Sequence, residues 1–112
     1  MSAALHGHQR LDQRSLALHR AIAEKLRANP ELIAIAVENL DRWTLARGRS
    51  QPYWDAWREI LKHPLPYVLD LMTQESERMT AMRQATPFAG VLDPKERWAI
   101  YERFEEKRRE TA

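Results

Sequence analysis

From Ser76 to Trp98 the chain reads SERMTAMRQATPFAGVLDPKERW, and its two prolines permit a helix on either side but not through the middle. Upstream, Leu65, Val68, Leu69, Met72, Ser76, Met79 and Met82 recur at steps of three and four, which is one face of an amphipathic helix. The spacing predicts one long helix over 66–85. Pro87 lacks the N–H that would extend the ladder, and its ring drives Thr86 out of the helical region, so the helix ends there. Gly90 supplies a position free to take positive φ, while Phe88, Val91 and Leu92 are too apolar for a solvated loop and are expected to turn inward. Asp93, Pro94 and Glu96 then spell a helix start, with a capping acceptor, a proline at the first helical position and a glutamate at capping-box spacing.

The same punctuation divides the rest of the chain. A first helix is predicted over 12–28, with Leu11, Ser15, Leu18, Ile22 and Leu26 along one face and His19 at its edge. Asn29 and Pro30 read as cap and first residue of a second helix over 30–47, stopped by Gly48. Its apolar residues span a wide arc, which predicts a place in the middle of the bundle. A third helix over 51–62 carries Trp54 and Trp57, readable as an exposed aromatic platform or as core packing. A last helix over 94–109 brings Trp98, Tyr101 and Phe104 close together and ends in the mixed-charge run EEKRRE. The expected fold is all-α: a compact bundle of about five helices forming one domain over 11–112, preceded by a mobile tail over 1–10.

With 112 residues and no cysteine, the chain has room for one core, and disulfides, thiolate metal sites and cysteine nucleophiles are excluded. His6 and His8 are two histidines where a stable metal site needs three or four fixed ligands, so no metal or cofactor is expected. The charge is nearly balanced, 18 basic against 16 acidic residues. Only residues 1–30 lean positive, through Arg10, Arg14, Arg20, Lys25 and Arg27 against Asp12 and Glu24. No apolar run approaches the roughly 20 residues of a membrane span, and the first residues lack the layout of a signal peptide, so a cytoplasmic location is expected. Phosphate-binding glycine loops, HExxH and the nucleophile elbow are absent from the sequence, and no carboxylate pair stands out. A non-catalytic role is therefore expected, with His19 read as a packing or hydrogen-bonding residue before a proton carrier.

The segments LDQRSLALHRAIAEKL (11–26) and ERMTAMRQATPFAGVLDPKERWAIYERF (77–104) resemble small bacterial proteins encoded beside nucleotidyltransferase toxins. In such pairs the small partner is taken to be the antitoxin. The resemblance implies a cytoplasmic protein that binds and neutralises a partner protein and performs no chemistry of its own. For that role the loop and its shoulders are the candidate surface: Arg78 and Arg83 for carboxylates, Phe88 as an apolar anchor, and Arg97 with Trp98 beside it. The same Phe88 and Trp98 could instead close the chain's own core. If Phe88 is an anchor, Phe88→Ala should abolish partner binding and leave the fold intact. Two other readings stand beside this one. Arg10, Arg14, Arg20 and Arg27 could contact nucleic acid, with a steep salt dependence, or exposed tryptophans could join two copies in a homodimer.

Overall fold

Helical periodicity carries through to the structure, a computed structural model that describes residues 3–111, with side chains for 9–107 and 109–110. Among the described residues there are six α-helices and no strand: α1 (Ala3–Ala28), α2 (Ile33–Arg47), α3 (Pro52–Leu61), α4 (Leu65–Met72), α5 (Glu77–Gln84) and α6 (Pro94–Thr111), with a 3-10 turn at Pro30–Leu32. No helix among them is long and apolar enough to cross a membrane.

Three expectations are corrected. Residues 3–10, expected as a tail ahead of a helix starting at Asp12, are helical and extend α1 upstream. Alanines, Leu5, Gln9 and Arg10 all favour helix, and Gly7 alone costs only about 1 kcal/mol. The expected helix over 66–85 is two helices. Ser76 is extended, and its Oγ accepts from the Met79 N–H at 3.1 Å, so a new helix starts there. On the other side of the break, the Thr73 hydroxyl donates back to the Leu69 carbonyl at 2.7 Å. Asn29, expected as a cap for the second helix, holds the N-cap position of the 3-10 turn but makes no side-chain cap bond, and its Nδ2 donates instead to the Lys25 carbonyl at the end of α1.

The central element is α1, not α2. Helices α4, α5 and α6 all pack on α1, which buries Ile22, Ala23 and Leu26. Its 26 residues, at about 1.5 Å each, account for most of the 43 Å long axis. In contrast α2 buries only Ala36, Asn39 and Leu40 and leaves Val37 and Leu45 exposed. The core is completed by Trp57 from α3, by Val68, Leu69 and Met72 from α4, and by Met79 and Met82 from α5. Phe88, Val91 and Leu92 come from the loop before α6, and none of the described side chains of α6 is fully buried.

The local signals hold where they depend on near neighbours. Gly48 ends α2 at φ 76° and Gly90 turns the loop at φ 93°, both in the region that favours glycine. The capping box is complete: the Glu96 N–H donates to Asp93 Oδ1 at 2.7 Å and the Asp93 N–H to Glu96 Oε1 at 2.9 Å. Lys25 Nζ also reaches Glu96 Oε1, at 2.6 Å, tying the start of α6 to α1. The cap N–H and the lysine hold the Glu96 carboxyl below its ordinary pKa.

Because Ser76 is the residue that restarts the helix, Ser76→Ala is expected to cost about 1 kcal/mol. In urea this appears as a lower midpoint at an unchanged slope.

Candidate functional site

The loop from Ala85 to Asp93 buries Pro87, Phe88, Val91 and Leu92 while Ala89 and Gly90 stay at the surface, and its buried backbone polar groups need partners. Asn39 supplies them, and Trp57 and His19 hold the turn that leads into the loop and the Thr86 side chain. Asn39 on α2 donates through Nδ2 to both the Pro87 and Ala89 carbonyls, each at 2.8 Å, and its Oδ1 accepts from Arg42. Trp57 on α3 donates its indole N–H to the Met82 carbonyl at the end of α5, at 2.9 Å. His19 on α1 meets Thr86 Oγ1 through Nε2 at 2.8 Å and the Ser15 carbonyl through Nδ1 at 2.7 Å. Phe88 lies at the centre of this cluster, edge-on to Trp57 at 5.4 Å and to His19 at 6.2 Å.

The His19 geometry fixes the tautomer. A carbonyl only accepts, so in the neutral ring Nδ1 carries the proton and Nε2 accepts from the Thr86 hydroxyl. Thr86 Oγ1 in turn accepts the Phe88 N–H at 3.3 Å. A hydroxyl, an imidazole and an orienting acceptor in sequence is the layout of an activated nucleophile. The energetics oppose that use. The His19 pKa is lowered from 6.5 to about 4, chiefly by burial and also by the Arg83 charge, with the Ser15 carbonyl offsetting part of the shift. An imidazole that resists a proton this strongly positions the Thr86 hydroxyl well and accepts its proton badly.

Of the residues singled out for partner binding, two belong to the interior. Phe88 is 1 % exposed, so it is a core side chain and not an accessible anchor. Arg83 is 3 % exposed, and its guanidinium donates to the Met72 carbonyl at 3.2 Å and the Gln74 carbonyl at 2.8 Å. It closes the end of α4 across the break that precedes α5. Burial lowers its pKa, opposed by Asp12 and Glu75; an arginine so placed remains a cation. Arg78, Arg97 and Trp98 are exposed, Arg78 on α5 and the other two on α6. Trp98 is 63 % exposed, whereas Tyr101 and Phe104 are half-buried.

The basic line of α1 is largely occupied. Arg20 pairs with Glu75 at 2.8 Å, Arg27 pairs with Glu24, and Arg14 lies over the Tyr101 ring at 4.9 Å. Arg10 is exposed. The side chains of His6 and His8 lie outside the described residues, and among those described no group of three or more His, Asp or Glu is placed to hold a metal.

The two tryptophans of α3 divide. Trp57 is in the core, whereas Trp54 is half-buried and packs on Trp43 of α2 with ring centroids 5.8 Å apart. Together with Ala46, Arg47, Gln84, Ala85 and Thr86 they line an open groove of about 430 Å³ where α2, α3 and the start of the loop meet. Its size falls within the range of about 300–1,000 Å³ typical of ligand clefts. The sequence places Trp43 on the apolar arc of the second helix and Arg47 in its last turn beside the Gly48 stop, and neither there suggests a groove. A usable signal was present: residues 42–54 contain Arg42, Arg47 and Arg49 and no acidic residue.

Two outcomes follow from the buried cluster. Phe88→Ala should cost about 3–5 kcal/mol by opening a cavity, read by denaturant unfolding, and any loss of binding in that variant should track loss of fold. The depressed His19 pKa makes stability depend on pH. Above 6.5 the residue is neutral folded or unfolded. As pH falls from 6.5 to about 4 only the unfolded chain takes up the proton, so about 3 kcal/mol is lost across that window and no more below it. Unfolding curves of the protein and of His19→Gln, measured from pH 7 to about 4, should differ by this slope, with the variant flatter.

Compared with family models, curated proteins and solved structures, the chain matches none.

Proposed function

We propose that this protein is a non-catalytic protein-binding module, an antitoxin-like regulator that binds and neutralises a partner, of the kind encoded beside nucleotidyltransferase toxins. The observation that carries the reading is Trp98. An indole 63 % exposed on a helix, with Arg97 next to it also exposed, places on the surface the two residue types that most often concentrate interface energy. Burying the exposed part of such a side chain under a partner is worth about 3 kcal/mol in transfer free energy. The interior is consistent with a scaffold. Asn39 and Trp57 spend their buried donors on backbone carbonyls, and the Thr86–His19 hydroxyl–imidazole pair is set against proton transfer.

Nucleic-acid binding through α1 is the weaker reading, because Arg20 and Arg27 already face carboxylates and Arg14 an aromatic ring. The test is affinity capture from host extract, with and without nuclease, alongside co-expression with the protein encoded beside it. A stoichiometric protein that survives nuclease is expected. Trp98→Ala should lose that protein and its neutralising effect while unfolding at the same denaturant midpoint. Retention that depends on nucleic acid, or full capture by Trp98→Ala, would overturn the proposal.

A further inference from the structure

The groove beside the loop is chemically one-sided. Its lining holds two indoles, one guanidinium, one amide and one hydroxyl, and no carboxylate. Arg47 on its lip and Arg49 just beyond make no ion pair among the described residues, and Arg42 is bound only to the Asn39 amide oxygen. Three arginines therefore stand on a stretch, 42–54, that has no acid of its own. The nearest carboxylate before it, Asp41, is taken by Arg58 at 2.7 Å; Asp55 follows it on the exposed side of α3.

The indoles add a second asymmetry. Trp57 donates its N–H to a carbonyl, but among the described residues the N–H groups of Trp43 and Trp54 have no acceptor, and neither is a buried unpartnered atom. They are donors within reach of solvent. The surface thus offers apolar walls, free N–H donors and uncompensated positive charge.

We propose that this groove docks an acidic peptide segment of a partner protein, one that lays an apolar side chain against Trp43, Trp54 and Ala85 and sets a carboxylate on Arg47. Charge complementarity selects the acidic partner: a basic segment would meet the Arg47 guanidinium, which makes no ion pair among the described residues, and no carboxylate in the lining. The apolar lining selects a peptide over a nucleic-acid strand. A strand gains from repeated phosphate contacts, and Arg47 is the single cation in the lining. This surface is separate from Trp98 on α6, so the inference stands or falls independently of the α6 interface.

The four tryptophans make the test direct, because each indole N–H gives its own peak in a nitrogen–proton correlation spectrum of the labelled full chain, assigned by single Trp→Phe variants. The probe is a short peptide with a Phe-Leu centre flanked by Glu and Asp. The controls are the same centre flanked by Lys, the same acidic flanks around Gly-Gly, and a single-stranded oligothymidine. The acidic Phe-Leu peptide should move the Trp43 and Trp54 peaks saturably, leave Trp57 and Trp98 in place, and bind more weakly as salt rises. Arg47→Glu should weaken binding by about tenfold or more, and Arg47→Gln by less. An unmoved Trp57 peak in each variant certifies that the core is intact. The proposal is overturned by no shift at millimolar peptide, by equal shifts with the Lys-flanked or Gly-Gly peptide, by shifts confined to Trp98, or by oligothymidine binding the groove more tightly than the peptide.

Discussion

A segment without helical structure turns Pro87, Phe88, Val91 and Leu92 into the core of this protein, and its buried backbone groups need hydrogen-bond partners. A helix satisfies its own backbone; the stretch from Ala85 to Asp93 does not. The twin hydrogen bonds from Asn39 to Pro87 and Ala89 answer that need most directly, and the rest of the interior is arranged around them. Asn39 must sit on the buried face of α2, Trp57 must turn its N–H toward the end of α5, and His19 must stay neutral. Asn39 answers loop backbone directly, Trp57 adds a second donor to the Met82 carbonyl, and His19 holds the Thr86 side chain.

The same logic explains a buried arginine with no carboxylate in contact. The break between α4 and α5 leaves the Met72 and Gln74 carbonyls open, and the Arg83 guanidinium fills both. A cation at a helix C-terminus interacts favourably with the end of the helix dipole, and Asp12 and Glu75 add attraction at longer range. The surface ion pairs contribute little by comparison, being largely solvated and worth at most about 1 kcal/mol each.

These features also mark how far the sequence could be read. The capping box at Asp93 and Glu96 and the two positive-φ glycines were legible because each depends on residues within a turn. The packed Phe88 loop was legible in outline, since its apolar content argued for burial. The α4–α5 break was hidden, because the steps Met72, Ser76, Met79 keep the helical period straight across it. The inward turn of Arg83 and Asn39 was hidden for another reason. The carbonyls that Asn39 satisfies lie 48 and 50 residues away, and those of Arg83 belong to a break that periodicity conceals. Trp43 and Trp54, from different helices, form one groove only after α2 and α3 have packed.

The helix α6 is held unlike the others. Its described side chains add none to the fully buried core, and its first turn is secured by a capping box and one lysine, with Arg14 stacked on Tyr101 further along. Stability in such a protein is not shared evenly. The elements around Asn39 open only with the whole molecule, whereas a helix that buries little can detach and reclose at far smaller free energy. Amide hydrogens of α6 would then exchange ahead of those in α1, α2 and α4. Trp98 rides on this loosely held element, so a partner that grips it would also order it, and part of the binding free energy would go into suppressing that motion.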